Sequence, residues 1–168
     1  TVILLYILVS ELENKFTAFF RKVFPKVLIP IVLFQIASSV ISLTDTGITH
    51  TRYYVILFGL FAIIAGVLLS FLPVWKNGVI AALLIIFSAI SIVPPVDAFT
   101  ISRNSQISTL ENELLKYDML EDNQIKPNKT VSEKDREIIT ESVHYLDQMG
   151  YLKEIDWIPK NFNVYDDF

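Results

Sequence analysis

Hydrophobic residues in the first hundred positions are grouped into long runs without charge. The runs cover 27–44, 53–75 and 77–96, which are 18, 23 and 20 residues long. A helix needs about 20 apolar residues to cross the hydrocarbon core of a bilayer, where no water is present to satisfy a non-helical backbone. One such run could be the buried helix of a soluble protein. Three in succession, joined by short links, predict three transmembrane helices over 27–96.

A shorter apolar stretch, 2–9, precedes these runs and is too short to span a bilayer. Because the chain begins with Thr1, the simplest interpretation is a fragment that starts inside a membrane helix. A cleaved signal peptide fits less well, since no basic region precedes the stretch and no small-residue cleavage site follows it. We therefore expect further parts of the protein upstream of Thr1.

In the segment 11–25 the apolar residues do not form a continuous run but recur at helical spacing. One helical face would carry Phe16, Phe19, Phe20, Val23 and Phe24, with Lys15, Arg21 and Lys22 off it. A basic helix with a phenylalanine face predicts an interfacial helix in the headgroup layer. The alternatives are a continuation of the following span or a helix packed on the bundle. Residues 1–26 are thus assigned as a truncated membrane helix plus an interfacial amphipathic helix.

The pattern after residue 96 is polar, with apolar residues at three- and four-residue steps. It predicts one helix from Ser105 to about Met119 and a second that is capped by Ser132 and ends near Gly150. The link 121–131 is polar, and the residues after Gly150 predict an extended or irregular arm. We expect this tail, 97–168, to bury only a thin core and to pack on the bundle, on upstream residues or on a partner.

Composition supports this division. Apolar residues make up 52% and charged residues 19% of the chain, which excludes both a single compact soluble globule and a disordered chain. Residues 1–96 hold six Lys/Arg and three acids, net +3, whereas 97–168 hold eight Lys/Arg and fifteen acids, net −7. The fold class predicted is all-α, a polytopic helical membrane bundle with a small, mainly helical extramembrane region.

Positive residues also predict the orientation of the chain. Five lie on the side of 10–26 and of Lys76, against two or three on the side of the 44–53 loop and the tail. Because positive residues favour the cytoplasm, the acidic tail is predicted to be extracytoplasmic. The predicted location is a bacterial cell membrane, with multiple passes.

Polar residues at the two predicted outer span ends form a candidate site. The loop before the second span and the segment after the third emerge on the same side in this topology. The predicted outer-face polar cluster consists of Thr49, Arg52, Tyr53, Asp97, Ser102, Arg103, Ser105 and Gln106. Arg52 and Asp97 sit at span ends and are expected to pair. The cluster either holds a headgroup or an anionic ligand, or only caps and registers the helices.

Other chemistry is not indicated by the sequence. There is no cysteine, no Gly-rich phosphate loop and no nucleophile turn, and His50 and His144 lack metal-ligand spacing. We therefore predict no catalytic residues, no metal and no cofactor. The acidic tail would repel nucleic acid. No ionisable residue lies deep in a predicted span, which argues against a self-contained transporter.

Two strings of residues resemble a known family. They are Gly47-Ile48-Thr49-His50-Thr51-Arg52-Tyr53-Tyr54, and Pro94-Pro95-Val96-Asp97-Ala98-Phe99 followed by Ser102-Arg103-Asn104-Ser105-Gln106 and Leu110-Glu111. Over about residues 27–120 the chain resembles bacterial integral membrane proteins catalogued as domain of unknown function 4153. The Pro94–Asp97 stretch departs from that family's more usual Gly-Pro-Trp-Ser. The resemblance implies more membrane helices than are seen here and no known activity.

The same resemblance marks six of the candidate residues as family-motif positions: Thr49, Arg52, Tyr53, Ser102, Ser105 and Gln106. Two classes of function remain open. The favoured one is a non-enzymatic membrane component, such as a sensor, a scaffold or a complex subunit, with the bilayer and a membrane or extracytoplasmic protein as partners. The alternative is a transporter or lipid-modifying enzyme whose reactive groups lie upstream.

Overall fold

A computed structural model of the chain is mostly α-helical and divides into two compact units. It describes residues 2–9, 12, 14–73, 76–128, 130–159, 162 and 164. The first unit comprises Thr1–Val40 and Thr51–Asp97, and the second comprises Ile41–His50 and Ala98–Phe168. The elements in chain order are α1 (Val2–Val9), α2 (Lys15–Thr46), α3 (His50–Phe71), α4 (Gly78–Ile90), α5 (Ala98–Lys116), β1 (Leu120–Glu121), β2 (Gln124–Ile125), α6 (Glu133–Gln148) and a final 3-10 turn (Leu152–Glu154).

The first unit contains the long apolar helices. Two described segments are long and apolar enough to cross a membrane, Lys15–Ile41 within α2 and His50–Phe71, which is α3. Many of their large apolar side chains are exposed, including Phe34 at 79% and Phe71 at 83%. A small core gathers Tyr6, Phe61, Ala65, Leu69, Ile80 and Phe87. This distribution suggests association with a membrane, because water-exposed helices rarely carry such large apolar faces.

Helix α2 differs from the prediction of a separate interfacial helix. It runs without a break from Lys15 to Thr46 and contains Pro25 and Pro30, so the phenylalanine-faced segment continues into the first apolar run. Prolines are tolerated inside apolar helices when neighbouring groups satisfy the freed backbone. Residues 11 and 13 of the predicted segment lie outside the described residues. A position in the headgroup layer stays a prediction.

The third predicted span is shorter than expected. Helix α4 covers only Gly78–Ile90, which is 13 residues. At 1.5 Å per residue it is about 20 Å long, short of the ~30 Å hydrocarbon core. Pro94 and Pro95 follow within turns at 91–97, and neither has the backbone N–H that would continue the helical hydrogen bonds. The helix is therefore shorter than the uncharged run 77–96, and a third membrane span there stays a prediction. Trp75, at the predicted end of the second span, lies outside the described residues.

Glycines of α3 pack against α2 within the first unit. A Cβ added to Gly59 would lie 2.8 Å from Cγ1 of Ile36, and one added to Gly66 would lie 3.0 Å from Cγ1 of Ile29. Small residues allow helices to approach closely where little else drives them together. These two glycines therefore serve packing inside the chain.

The second unit has a core of its own. The buried apolar residues are Leu110, Leu114, Val131, Ile139, Val143, Leu146, Leu152, Ile155, Ile158 and Val164. Four of them follow Gly150, in the segment that was expected to be an irregular arm. Because this arm folds back, the core is larger than the thin one predicted from two helices.

The ends of α6 follow the prediction. Oγ of Ser132 accepts a hydrogen bond from the amide of Asp135 at 3.2 Å, which caps the helix start. Gly150 follows the helix end with φ +75°, a conformation that favours glycine. Both helix-end signals are confirmed because each acts within a few residues of its own position.

Helix α5 begins earlier than predicted, and a short hairpin follows it. The helix starts at Ala98, directly after Asp97, so Ser105 lies inside it rather than at its cap. Aspartate is among the residues favoured just before a helix. Between α5 and α6, Leu120 pairs with Ile125 and Glu121 with Gln124 in a short antiparallel hairpin. Asp122 and Asn123 have positive φ, the geometry that a two-residue hairpin turn of type I′ requires.

Candidate functional site

Polar residues of α5 meet the turn 46–50 inside the second unit. Ser102, Ser105 and Gln106 are spaced three and four residues apart and therefore share one face of the helix. Ser102 is fully buried and Gln106 is 2% exposed. The two strings that carry the family resemblance thus touch each other here.

The side chains of α5 satisfy the backbone of this turn. Nε2 of Gln106 donates to the carbonyl oxygens of Thr46 (2.8 Å) and Ile48 (3.4 Å). Oγ of Ser105 accepts from the amide of Ile48 at 2.9 Å. Buried backbone groups are costly when they lack partners, so these side chains substitute for the hydrogen bonds that the turn cannot make with itself.

Gly47 is the residue that lets the turn lie so close to α5. Its φ is +70°, and a Cβ placed there would lie 2.6 Å from Oγ1 of Thr109 and 3.0 Å from Nε2 of Gln106. An L side chain would meet both a conformational penalty and a steric clash. Glycine is therefore required at position 47 both for the backbone conformation and for the close approach to α5.

Tyr145 of α6 joins the same site through His50. Its hydroxyl donates to Oγ of Ser102 at 2.9 Å and accepts from the amide of His50 at 3.2 Å. Nδ1 of His50 lies 3.0 Å from the same hydroxyl. Which of these two atoms donates the hydrogen bond depends on the tautomer of the imidazole. The imidazole also stacks on Phe99, with ring centroids 5.7 Å apart.

We call the turn 46–50 together with Ser102, Ser105, Gln106 and Tyr145 the turn cluster. The side chains of Ser102, Ser105, Gln106 and Tyr145 each make a hydrogen bond within the cluster. Among the residues that the structure describes, no group of three or more His, Asp and Glu side chains could hold a metal ion. The arrangement is suited to fixing the backbone conformation of the turn 46–50.

The remaining predicted residues are placed differently. Thr49 is part of the turn and partly buried. Arg103 is directed to Glu154, with Nη1 and Oε2 2.9 Å apart, and its guanidinium carbon lies 5.9 Å from the ring centre of Tyr151. It thus belongs to an ion pair at the surface of the second unit rather than to the turn cluster.

Three predicted residues belong to the first unit. The hydroxyl of Tyr53 donates to the carbonyl of Val96, which ties the start of α3 to the segment after α4. Asp97 is 5% exposed and Arg52 is partly buried. The expected pairing of Arg52 with Asp97 stays a prediction.

His50 and Tyr145, whose side chains take part in the turn cluster, were not among the predicted site residues. His50 stands inside the quoted Gly47–Tyr54 string, so the string itself was a signal for it. Tyr145 is separated from His50 by 95 residues and lies in no motif, so nothing in the sequence marks it.

Comparison with known proteins adds one match. The model of a family described as Domain of unknown function (DUF4153) matches residues 1–129. The match includes the turn 46–50 and all of α5 but not Tyr145. No curated protein and no solved structure shows significant similarity to the chain.

Proposed function

The chain belongs to the DUF4153 family, and from that premise we propose that it is an integral membrane protein that acts as a non-enzymatic component, such as a sensor, a scaffold or a subunit of a complex. In this role the apolar helices anchor the protein in the bilayer. The second unit is the part that projects from the membrane and meets a partner protein.

The exposed apolar helices support a membrane location. In water, the exposed Phe34, Phe71 and Ile41 would each leave a large apolar surface hydrated. In a bilayer the same surfaces face lipid, and the backbone of α2 and α3 is satisfied by helical hydrogen bonding. These two helices therefore suit a lipid environment better than an aqueous one.

The turn cluster is the observation that carries the non-enzymatic part of the proposal. The residues at family-motif positions in α5, Ser102, Ser105 and Gln106, direct their polar atoms at the backbone or at a neighbouring side chain. A catalytic site needs polar groups aimed at a place where a reacting atom can sit. Holding the turn between α2 and α3 against α5 explains these residues without any such chemistry.

The distribution of charge supports the orientation we propose. The positive residues near 10–26 and Lys76 favour the cytoplasmic side, which leaves the second unit extracytoplasmic. Its net charge of −7 over 97–168 disfavours nucleic acid and suits a protein partner with a basic surface.

Cysteine labelling tests both the membrane location and the orientation, because the natural chain has no cysteine. Single cysteines replace Glu141, exposed on α6, or Lys22, exposed on α2. In bacterial spheroplasts that express the chain, a membrane-impermeant maleimide should label E141C directly and K22C only after permeabilisation. The reverse pattern would invert the orientation. Recovery of the protein in the soluble fraction without detergent would refute the membrane location.

Substitutions in the turn cluster test its role. Gln106→Leu keeps the side-chain volume but leaves the carbonyls of Thr46 and Ile48 without their donor, so we expect lower protein level in the membrane fraction. Asn112→Leu, an exposed position further along α5, is the matched control and should leave the level unchanged. If Gln106→Leu reaches a normal protein level but fails to restore the growth of a deletion strain, this result would contradict the structural role and favour chemistry at the cluster.

A further inference from the structure

The first turns of α2 present two different faces. On one face the rings of Phe20 and Phe24 pack against Tyr6 of α1, with centroids 5.8 and 5.7 Å from that of Tyr6. The opposite face carries three exposed lysines, Lys15, Lys22 and Lys26. They are spaced seven and four residues apart, so at about 100° per residue they lie within an arc of about 40° along the helix. We call these three residues the lysine stripe.

Two phenylalanines border the lysine stripe. Phe19 follows Lys15 by one helical turn and is 64% exposed, and Phe16 is 77% exposed. The phenylalanines predicted to share one face are therefore divided, because Phe20 and Phe24 pack on α1 instead. An exposed surface that combines lysines with large apolar side chains is typical of helices that lie against lipid headgroups.

The charge of the lysine stripe is not balanced by acids nearby in the sequence. Within the described part of the chain, none of the three lysines forms an ion pair. The acids that flank the stripe are Glu13 and Asp45, each nine or more residues from Lys22 and from Lys26. The stripe also lies at the positive end of the α2 dipole, and the first turn of α2 contains no acidic residue. An anion from outside the chain is therefore attracted to this face.

The lysine stripe adjoins the part of α2 that can cross a bilayer. The uncharged run that begins at Val27 has 18 residues. As a helix it is about 27 Å long, close to the ~30 Å thickness of the hydrocarbon core. Residues 15–26 precede this run, so in a membrane they would lie at the level of the headgroups, where lysines are attracted to anionic lipids.

We propose that the lysine stripe binds the phosphates of anionic phospholipids, whose upper acyl carbons cover Phe16 and Phe19. The inference rests on the membrane location proposed above and adds a class of lipid to it. Anionic phospholipids are preferred to phosphatidylcholine, because the choline cation offsets the attraction between its phosphate and an ammonium group. Since the recognition depends on charge, arginine can replace lysine in the stripe.

Quenching by brominated lipids tests the proposal at the stripe itself. Trp75→Phe and Trp157→Phe remove both natural tryptophans, and Phe19→Trp then places a single reporter beside the lysines. The full chain is reconstituted into bilayers of phosphatidylcholine and phosphatidylglycerol in equal amounts, with one of the two lipids brominated near the glycerol end of its acyl chains. Comparing the two brominated lipids gives the relative affinity of phosphatidylglycerol at the reporter. Phe34→Trp, at a position 79% exposed in the uncharged run, is the matched control reporter.

The Phe19→Trp reporter should show at least a fivefold preference for phosphatidylglycerol, which corresponds to the ~1 kcal/mol expected for one lysine near an anionic surface. The Phe34→Trp reporter should show no preference. Replacing all three lysines of the stripe by glutamine should abolish the preference, whereas replacing them by arginine should retain it. Lys153→Gln makes the same change of charge at an exposed position of the second unit and should leave the preference unchanged. Salt at 1 M, where the Debye length is about 3 Å, should weaken it.

Three results would overturn the proposal, and they separate it from the membrane location. Equal quenching of Phe19→Trp by both lipids would leave α2 in the bilayer without a preference for anionic headgroups. Quenching of Phe34→Trp but not of Phe19→Trp would place the stripe in water and favour an acidic protein partner. No quenching at either reporter would refute the membrane location as well.

A second measurement does not depend on the tryptophan substitutions. Native mass spectrometry of the natural chain, released from the same mixed bilayers, should show more phosphatidylglycerol than phosphatidylcholine retained. The variant with three glutamines should lose this excess if the lysine stripe binds the lipid. An equal excess in both proteins would contradict the proposal even if the tryptophan-free background does not fold.

Discussion

Gly47→Ala should destabilise the second unit more than Gly150→Ala, although both glycines have positive φ. The values are +70° and +75°, so an alanine at either position pays about 1–2 kcal/mol for the left-handed conformation. Alanine also restricts the unfolded chain to a similar extent at both places, and this term cancels in the comparison. What differs is the space around each residue.

The steric part of the cost falls on Gly47 alone. A Cβ at Gly150 meets nothing within 4 Å, whereas one at Gly47 lies 2.6 Å from Oγ1 of Thr109. Forcing an extra methyl group into a packed site costs about 1–3 kcal/mol. We therefore expect losses of about 1–2 kcal/mol for Gly150→Ala and about 2–5 kcal/mol for Gly47→Ala. Thr109→Ala should recover part of the second loss, because it removes the nearest atom.

Urea unfolding followed through Trp157 measures these differences in a Trp75→Phe background. For a domain the size of the second unit, 1 kcal/mol also corresponds to about 4–8 °C in Tm, so thermal scans give an independent reading. Equal losses at the two glycines, or no recovery from Thr109→Ala in the Gly47→Ala background, would refute the close approach of the turn to α5.

Other substitutions test the two units separately. Ser142→Ala should leave stability unchanged or raise it by up to ~1 kcal/mol, since Ser142 is 1% exposed and its Oγ makes no hydrogen bond within the described part of the chain; a clear loss in urea midpoint would contradict this. Hydrogen bonds from Tyr117, Lys116 and the cap serine hold the pKa of Asp135 well below its ordinary value of 3.8. Its contribution to stability is therefore complete above that ordinary value and is lost as pH falls below about 4; Asp135→Asn should flatten the acid limb of a Tm–pH curve, and an unchanged limb would disprove its role. Gly59→Ala should lower the thermal stability of the solubilised protein, and Ile36→Ala should partly restore it, because the added Cβ would lie 2.8 Å from Ile36; failure of the pair to compensate would argue against that contact.

Local signals predicted the ends of α6 but not the extent of α4. Ser132 and Gly150 act through groups within a few residues, so their types alone indicate the cap and the stop. A count of uncharged residues over 77–96 ignores the fact that Pro94-Pro95 are apolar and yet end a helix. Hydropathy therefore overestimated the length of this helix. The start of α5 at Ala98 was missed because Ser105 was taken as the residue that caps the helix.

The candidate site was predictable where motif order and helix spacing agreed. Ser102, Ser105 and Gln106 lie on one face of α5, and the string with Gly47 was expected on the same side. Tyr145 was not predicted, because its contact with His50 joins residues 95 positions apart and leaves no periodic pattern in the sequence. Arg103 was grouped with its sequence neighbours, but on a helix the next residue points about 100° away, and it pairs with Glu154 instead.

The long separation between the turn 46–50 and α5 has a consequence for biosynthesis. Ile48 and Ser105 are 57 residues apart. At 5–20 residues per second, the ribosome needs about 3–11 s to make Ser105 after it has made Ile48. During that interval the carbonyls of Thr46 and Ile48 lack Gln106 as their donor, so the turn gains these hydrogen bonds only after α5 is synthesised.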